Sequence, residues 1–533
     1  MLLSFVFTGK RGKNNAMLLT RGTAPIRLCS AMPPKATRPR ALRLRPHPHL
    51  YEINTWVRLE QLSKQLGRKI TLAEVPDAEW DALAGLGFDI VWLMGVWKRS
   101  PDSRRVMLTD PGNFPAYSLA FPNWKPGDIV ASPYAVMDYS PDPRIGTWDA
   151  LDGVREKLRA RGMALFLDFV GNHMSPDHPW THDHPDYFVQ GSLNDYVQNP
   201  SAFSPADTDD GGRFIALGRD PYFPPWKDVV QLNYFQPAMR AAMIGELREI
   251  ALHCDGVRCD MAMLQLTDIF ENVWGRLLGG AARPPKEFWA EAHAAVPGLI
   301  LLAEAYWGTE PQLLDLGFSY VYDKELYDDV RDTRIEDIHG RLNAGLEFNS
   351  QRARFLENHD EPRRASTFGN ERLNAVGTLM GTLPGLRFYH QGELEGLRNR
   401  TPIQLRIAAD EPPDPVSTAF FQKILRISSD AALHDGKWSL LEIAPEGDSS
   451  SWNLVAYEWK SEKAWKVIVV NLAGSASQGR LRLGDRVLAK KEYLFNDELN
   501  EARYPRAGEE LHDVGLFVRL EAHQAHVFAV TPA

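Results

Sequence analysis

The stretch Gly256-Val257-Arg258-Cys259-Asp260 is a short, largely apolar run that carries one arginine and, two residues later, one aspartate. Alternate residues of a β-strand point to the same face, so Arg258 and Asp260 are expected to lie side by side. A neighbouring positive charge favours the ionised form of a carboxyl group. We therefore expect Asp260 to be held as a carboxylate, which is the state that a carboxylate nucleophile requires.

A second apolar run, residues 299–304, also ends in a single acidic residue, Glu304. If the two runs are neighbouring parallel strands, both carboxylates emerge at the same strand ends, about 4.8 Å apart. Retaining glycosidases hold their two carboxyl groups about 5–5.5 Å apart. Glu304 has no arginine in its own run, so we expect nearby carboxylates to raise its pKa toward the value that a general acid needs.

Two further runs pass from an apolar strand into a polar cluster. Residues 165–173 contain Asp168 and end in Asn172-His173, and residues 355–360 end in Asn358-His359-Asp360. Any one of these patterns alone is typical of an ordinary turn or cap. The four segments together, in this order, resemble the four sequence regions of the α-amylase family of glycoside hydrolases, which is built on a (β/α)8 barrel.

The resemblance implies roles for individual residues. Asp260 matches the nucleophile, Glu304 the acid/base, and Asp360 the third carboxylate, which grips the sugar. Matching positions imply substrate binding by Asp168, His173, Arg258 and His359, and stacking of a sugar ring by Tyr134. Tyr306 and Trp307, which follow Glu304, are candidates for stacking on sugar rings near the cleavage point. For Tyr134 the alternative of an ordinary loop tyrosine stays open.

The remaining pattern alternates predicted strands and helices, which is typical of parallel βαβ units. We expect a (β/α)8 barrel over residues 47–173 and 230–436, a short domain B inserted after strand 3 at 174–229, and a C-terminal β-sandwich at 437–533. Strands are predicted at 50–57, 320–327 and 354–359 in the barrel, and at 518–528 in the sandwich. Trp452 and Trp465 are predicted to lie in the sandwich core.

The N-terminal segment differs in composition from the rest of the chain. The first 51 residues contain ten Lys or Arg and no Asp or Glu, whereas the whole chain of 533 residues has a net charge of −9. We expect residues 1–46 to be disordered, either as an organelle transit peptide or, as we favour, as a stretch before a true start at Met17 or Met32. The expected location is the cytoplasm.

The composition also bears on partners and cofactors. A mildly acidic body argues against nucleic acid and suits a neutral substrate, and no run approaches the roughly 18 apolar residues of a membrane span. The chemistry requires no cofactor, but Asn172 matches a calcium position of the family, and residues 207–212 form an oxygen-rich loop. Cys254 and Cys259 are too far apart along one strand to form a disulfide. The sequence does not indicate an oligomeric state.

The predicted function is that of a retaining α-glycoside hydrolase acting on α-glucans or malto-oligosaccharides through a covalent glycosyl-enzyme intermediate. The same carboxylates could serve an α-glucan transglycosylase or an isomerase similar to trehalose synthase. A third alternative, a non-catalytic glycan-binding relative, is disfavoured because all three carboxylates are present. The chain departs from family patterns at Met263 and Leu264, where Lys-His is common, and at Ala135, where exo-acting relatives have Asp. Linkage and chain length therefore stay open.

Overall fold

A computed structural model describes residues 43–204 and 214–533. Eight parallel strands, numbered β1 to β8 along the chain, close into a barrel in which β8 pairs with β1. They are His49–Asn54, Ile90–Met94, Ala164–Phe169, Gly256–Cys259, Ile300–Ala303, Tyr320–Tyr322, Arg352–Arg354 and Leu386–His390. The predicted (β/α)8 barrel is confirmed.

Helices surround the barrel and connect successive strands. In chain order they are Thr55–Leu66, Asp77–Gly85, Pro101–Thr109, Phe114–Ala120, Trp148–Arg159, Pro237–His253, Thr267–Trp274, Phe288–Ala295, Glu310–Asp315, Lys324–Arg331, Ile335–Leu342, Gly345–Ser350, Arg364–Thr367, Leu373–Thr382, Pro415–Ser428 and Ala432–Asp435. Strands covered by helices on one side and filled by side chains on the other read as nearly continuous apolar runs. A polar residue in such a strand is therefore informative.

The barrel interior is filled by a layer of aromatic rings below the carboxyl ends of the strands. Trp92, Tyr322, Phe355 and Phe388 pack there with ring centroids 5.3–5.9 Å apart. Such edge-to-face contacts are favourable beyond the area that they bury. This layer closes the barrel, so polar side chains above it are confined to the open end.

Three predicted strand boundaries in the barrel are wrong for local reasons. Strand β1 ends at Asn54 because the Asn54 side chain accepts a hydrogen bond from Val57 N–H and caps the helix that follows. Strand β6 ends at Tyr322 because the next residues form the helix Lys324–Arg331, in which Lys324 and Asp328 pair one turn apart at 2.6 Å. Strand β7 is Arg352–Arg354, two residues earlier than predicted at its start.

Two long connections extend from the open end of the barrel. After β2, strands Trp97–Arg99 and Val136–Pro141 form an antiparallel pair. After β3, the described part of the insertion contains the short strands His173–Met174, Gln190–Gly191, Phe203–Ser204, Phe214–Ala216 and Val230–Gln231 and the helices Trp180–Asp183 and Leu193–Gln198. These elements lie within residues 174–229, the predicted domain B, or directly beside them.

The C-terminal region consists of two antiparallel sheets. The six-stranded sheet contains Lys437–Leu440, Leu454–Lys460, Trp465–Asn471, Glu492–Asp497, Ala502–Ala507 and Ala525–Pro532, and the three-stranded sheet contains Ile443–Ala444, Ser477–Leu481 and Leu516–Leu520. A short helix, Gly508–Asp513, precedes the last strand of the smaller sheet. The sandwich docks on the barrel through the Trp459 indole, which donates to the Thr382 carbonyl at 2.8 Å.

Two expectations for the sandwich need correction. The predicted strand 518–528 is instead parts of two strands separated by a turn at His523, whose φ is 56°. Trp465 is buried as predicted, but Trp452 is 58% exposed and packs against His339 at a tilt of 35°, with ring centroids 5.1 Å apart.

The structure describes only the end of the predicted N-terminal extension. Residues 1–42 lie outside the described part of the chain. Arg45, within the predicted extension, pairs with Asp89 at 2.6 Å and donates to the Gly87 carbonyl at 2.7 Å. Among the helices of the described residues, none is long and apolar enough to cross a membrane.

A buried ion-pair cluster lies beside the start of β4. The Asp255 carboxylate accepts hydrogen bonds from Arg155 at 2.8 Å, from Arg159 at 2.5 Å and from Leu165 N–H at 3.0 Å. Burial disfavours the charged form of Asp255, but the two arginines outweigh burial and lower its pKa. The stabilisation is therefore complete above the unfolded-state pKa of about 3.9 and is lost as pH falls further.

We predict that Asp255→Asn lowers the stability of the barrel at pH 7 by about 3–5 kcal/mol, because it leaves two partly buried arginines without their carboxylate. The change Asp77→Asn is the control, since Asp77 is 59% exposed in its pair with Lys157 and surface pairs contribute about 0–1 kcal/mol. Midpoints of urea unfolding check the prediction. Equal midpoints for both variants at pH 7 would contradict it.

Candidate active site

The ends of β4 and β5 bring Asp260 and Glu304 together. Cys259 and Ala303 are register partners, and each carboxylate is the next residue along its strand. The Glu304 N–H donates to the Cys259 carbonyl at 3.0 Å, which extends the ladder past the strands. Neighbouring strands lie about 4.8 Å apart, so the two carboxyl groups emerge side by side, as the sequence predicted.

Arg258 bridges these two carboxylates. Its Nη1 donates to Asp260 Oδ1 at 2.7 Å, and its Nη2 donates to Glu304 Oε2 at 2.6 Å. The sequence predicted the contact with Asp260, and the structure adds Glu304, because the planar guanidinium presents donors to both acids at once. The Arg258 side chain is 1% exposed, which makes it the central buried cation of the site.

Aromatic rings fix the position of the Arg258 guanidinium. Its central carbon lies 5.5 Å from the ring centroid of Trp92, 5.0 Å from that of Tyr134 and 5.9 Å from that of Tyr322. Its Nε also contacts the Tyr322 hydroxyl at 3.4 Å. Aromatic faces attract a cation and cannot neutralise it, so the full positive charge remains available to the carboxylates.

The two oxygens of Glu304 have different surroundings. Oε2 accepts hydrogen bonds from Arg258 and from the Met261 N–H, the latter at 2.8 Å. Oε1 contacts the Tyr306 hydroxyl at 2.7 Å. Because two N–H donors occupy Oε2, a proton on Glu304 belongs on Oε1.

Burial governs the titration of the pair. Removal from water raises the pKa of Glu304 and of Asp260, and Arg258 opposes this rise at both. The raised pKa of Glu304 agrees with the sequence prediction, although burial contributes more than neighbouring carboxylates. For Asp260 the expectation is corrected, because Arg258 does not hold its pKa below the usual range.

Charge counting explains why the site retains protons. Five buried or partly buried carboxyl groups outnumber the cations at the site, where Arg258 and His359 contact them directly and Arg400 also acts on Asp360; the five are Glu52, Asp168, Asp260, Glu304 and Asp360. Like charges at close range disfavour ionisation. Burial also raises the pKa of Asp168 to about 6. Burial thus raises the pKa of Glu304 as well as that of Asp168.

Asp360 lies at the open side of the site. Its side chain is 50% exposed, whereas those of Asp260 and Glu304 are 7% and 5% exposed. Partial burial disfavours its charged form, but His359, whose Nε2 lies 2.9 Å from Asp360 Oδ2, outweighs burial and lowers its pKa. Asp360 is thus an ionised acceptor facing the space where a substrate would enter.

His359 joins Asp360 to the interior of the barrel. Its Nε2 also contacts the Tyr134 hydroxyl at 2.7 Å, and its Nδ1 contacts Glu52 Oε1 at 2.5 Å. Tyr134 therefore lies at the site that the resemblance implied. Glu52 was not among the residues singled out from the sequence, although a lone acid within the apolar β1 run is a detectable signal.

Asp168 and His173 lie at the end of β3. Asp168 Oδ2 accepts a hydrogen bond from the Gly95 N–H at 2.7 Å. Gly95 has φ 78°, and a Cβ there would lie 2.6 Å from the Arg99 guanidinium, so glycine is required for this approach. Burial lowers the pKa of His173 to about 4, which leaves a neutral imidazole at pH 7.

Aromatic side chains form one rim of the site. Tyr306 is half-buried through its contact with Glu304, whereas Trp307 is 40% exposed. Trp307 packs edge-on against Tyr222 at 5.0 Å, and Tyr222 is 69% exposed. The sequence analysis missed Tyr222, which follows Asp220-Pro221 in an aromatic and proline-rich loop of the insertion.

The calcium expectation does not fit the described residues around Asn172. The Asn172 Oδ1 accepts from Gln231 Nε2 at 3.0 Å, and the same amide nitrogen donates to the Asn172 carbonyl at 2.9 Å. Within residues 43–204 and 214–533, no three His, Cys, Asp or Glu side chains are grouped as metal ligands. The oxygen-rich loop 207–212 lies outside the described residues.

Residues 79–210 match the family model of the α-amylase catalytic domain. This part of the chain is therefore similar to the α-amylase family. It is 26% identical over 298 residues to α-amylase 3 of Dictyoglomus thermophilum, covering 50% of this chain and 54% of that protein. It is 24% identical to an oligo-1,6-glucosidase of Parageobacillus thermoglucosidasius, covering 60% and 61%. The chain thus spans roughly half to three fifths of the length of these curated relatives.

Solved structures of the α-amylase family share the fold over most of the chain. A maltogenic α-amylase from Thermotoga neapolitana superposes with a TM-score of 0.63, covering 91% of this chain and 98% of that one. The two sequences are 17% identical. At this identity the likeness concerns the barrel and the C-terminal β-domain.

Proposed function

We propose that this protein is a retaining α-glycoside hydrolase that acts on α-glucans or malto-oligosaccharides. The observation that carries the proposal is the pair Asp260 and Glu304, held on adjacent strand ends by one guanidinium. Placement on adjacent strand ends fits the separation of about 5–5.5 Å between the carboxyl groups of retaining enzymes better than the roughly 6.5–9.5 Å of inverting enzymes. A neutral sugar substrate also suits the acidic net charge of the chain.

In the first step, Glu304 acts as the acid and Asp260 as the nucleophile. The proton on Glu304 Oε1 passes to the glycosidic oxygen, and an Asp260 oxygen attacks the anomeric carbon as the bond to the leaving group breaks. Asp260 Oδ1 is engaged by Arg258, so Oδ2 is the oxygen available for attack. The product is a glycosyl ester on Asp260 and a free leaving group.

In the second step, Glu304 is the base. Its carboxylate removes a proton from water, the water oxygen attacks the anomeric carbon, and Asp260 departs as a carboxylate. Arg258 faces both acids, so it stabilises negative charge on whichever carboxylate carries it at each stage. Two inversions at the same carbon give a product with the α configuration of the substrate.

Asp360 and His359 are proposed to hold hydroxyl groups of the reacting sugar. Asp360 is half-exposed and ionised, so it is an acceptor with free lone pairs, and His359 fixes its orientation. His173 is a neutral imidazole and can donate or accept one hydrogen bond there. The Tyr134 ring is proposed to stack on the same sugar.

A second candidate function is transfer to a sugar acceptor, as in a transglycosylase or isomerase. The observation that favours it is the exposed aromatic pair Trp307 and Tyr222. Trp307 lies three residues beyond Glu304 in the sequence. The leaving group departs and the acceptor enters on the side of the acid/base, and exposed aromatic faces bind sugar rings. Met263 and Leu264 are 0% and 3% exposed and cannot supply acceptor contacts.

We predict that Asp260→Asn and Glu304→Gln each reduce kcat on maltoheptaose by about 10³-fold or more, because each removes a group that forms or breaks the glycosidic bond. The wild type is expected to release α-anomers first, as followed by proton NMR during the early reaction. Asp77→Asn is the matched control for the loss of one carboxylate. A fully active Asp260→Asn variant, or early β-anomers from the wild type, would refute the mechanism.

We predict that Tyr306→Phe moves the alkaline limb of kcat/KM to higher pH by about one unit. The Tyr306 O–H donates to ionised Glu304, so its loss disfavours the carboxylate and raises the pKa of Glu304. Because the acid must be protonated, activity falls as pH rises through that pKa and is retained longer in the variant. An unchanged or acid-shifted limb would show that Tyr306 does not act on Glu304.

A further inference from the structure

Glu52 is a buried carboxylate with no assigned role. It lies on β1 between register partners Trp92 of β2 and His390 of β8, and it is 0% exposed. Its Oε1 contacts His359 Nδ1 at 2.5 Å, and its Oε2 has no hydrogen-bond partner among the described residues. A charge so deeply buried is costly unless it is matched by an opposite charge, and His359 is the group that it contacts.

Both nitrogens of the His359 ring face a carboxylate oxygen. Nδ1 faces Glu52 Oε1 at 2.5 Å, and Nε2 faces Asp360 Oδ2 at 2.9 Å. An ionised carboxylate only accepts hydrogen bonds, and a neutral imidazole has only one N–H. The arrangement is satisfied when both nitrogens carry hydrogen, which makes His359 an imidazolium.

We propose that Glu52 is a positioning residue that keeps His359 doubly protonated, so that the Nε2–H of His359 orients Asp360 and Tyr134 toward the sugar. This inference rests on the proposed function for its kinetic consequence. Strand β1 carries none of the four segments that resemble the family, yet through Glu52 it would help to position Asp360. Asp360 is half-exposed, so without a donor at Nε2 its side chain is free to turn to solvent.

The electrostatic surroundings support this protonation state. Burial lowers the pKa of His359, but Asp360 and Glu52 outweigh burial and raise it well above its usual value. The charged and titratable groups that face the ring from the packed elements are Glu52, Asp168, Arg258, Asp260, Asp360 and Tyr134. Carboxylates predominate in this set. The imidazolium is thus present below the raised pKa and is lost as pH rises through it.

The test is the change Glu52→Gln, which keeps the shape and an amide oxygen for Nδ1–H but removes the negative charge. We expect the pKa of His359 to fall, because one of its two carboxylate partners is gone. Once the ring is neutral with its proton on Nδ1, a lone pair on Nε2 faces Asp360. The variant should match the wild type at acidic pH and lose activity progressively as pH rises.

The measurement is kcat/KM for α-maltosyl fluoride from about pH 5 to pH 9, the range in which histidines titrate. Fluoride leaves without protonation, so the titration of Glu304 does not set the alkaline limb for this substrate. We expect Glu52→Gln to fall at least about tenfold below the wild type at the alkaline end. Loss of activity by the same factor at every pH would indicate structural damage and overturn the proposal, as would an unchanged profile.

Glu458→Gln is the matched control. Glu458 is 5% exposed in the C-terminal sandwich, where it accepts from the Trp465 indole at 2.8 Å and from Arg486 at 2.7 Å. The same chemical change there tests the effect of losing a buried carboxylate far from the site. We expect it to lower the unfolding temperature and to leave the pH profile of kcat/KM unchanged.

A second readout separates this inference from the proposed function. Histidine-labelled NMR, with His359 assigned by the signal lost in His359→Asn, reports its protonation whether or not the protein turns over a glucan. We expect both ring nitrogens to be protonated at pH 7 in the wild type and to titrate at lower pH in Glu52→Gln. A neutral His359 at pH 6 in the wild type would overturn the inference, whereas inert wild-type protein with a charged His359 would overturn only the proposed function.

Discussion

Arg258 is the interaction on which the site depends. It is the buried cation that contacts Asp260 and Glu304 together, and the rings of Trp92, Tyr134 and Tyr322 surround it without neutralising it. Without this charge, two carboxyl groups on adjacent strand ends would repel each other in a medium of low polarity. The barrel provides the geometry, because strand register alone places Arg258 behind both acids. The Arg258 guanidinium therefore offsets the repulsion between Asp260 and Glu304 and allows the two carboxyl groups to lie side by side.

The surplus of carboxyl groups over cations has a functional consequence. Burial disfavours the charged forms of Asp168, Asp260 and Glu304, and Arg258 opposes this effect at all three. Glu304 shares Arg258 with Asp260, whereas Asp360 contacts a different cation, His359, whose other ring nitrogen contacts Glu52. Differences in partners therefore separate the acid from the third carboxylate, although both belong to the same residue class. The different roles proposed for Glu304 and Asp360 therefore follow from the different cations that they contact.

The sequence predicted those features that strand periodicity and chain order determine. Asp260 and Glu304 come together because parallel register carries over from one βα unit to the next, which a pattern of residues can show. The contact between Glu52 and His359 joins residues 307 positions apart, and only closure of the barrel between β1 and β8 creates it. Strands β1 and β6 end earlier than their β-rich sequences predicted because a helix begins directly after each strand. A helix cap formed by Asn54 and an ion pair between Lys324 and Asp328 stabilise these two helices. The exposure of Trp452 could not be predicted because it depends on tertiary contacts, such as that with His339, between residues far apart in the sequence.

Specificity is expected to reside in the connections rather than on the strands. Positions 263 and 264, where relatives contact the acceptor side, are buried here, and Ala135 is fully buried beside Tyr134, so none of them reaches an outer sugar. The exposed aromatic faces of Trp307 and Tyr222 lie instead on the side of Glu304. A sugar binding there would compete with water for the glycosyl ester on Asp260, since both approach from the side of the acid/base. Under the proposed function, the balance between hydrolysis and transfer is therefore expected to depend on this aromatic rim, and bond cleavage on the carboxylates at the strand ends.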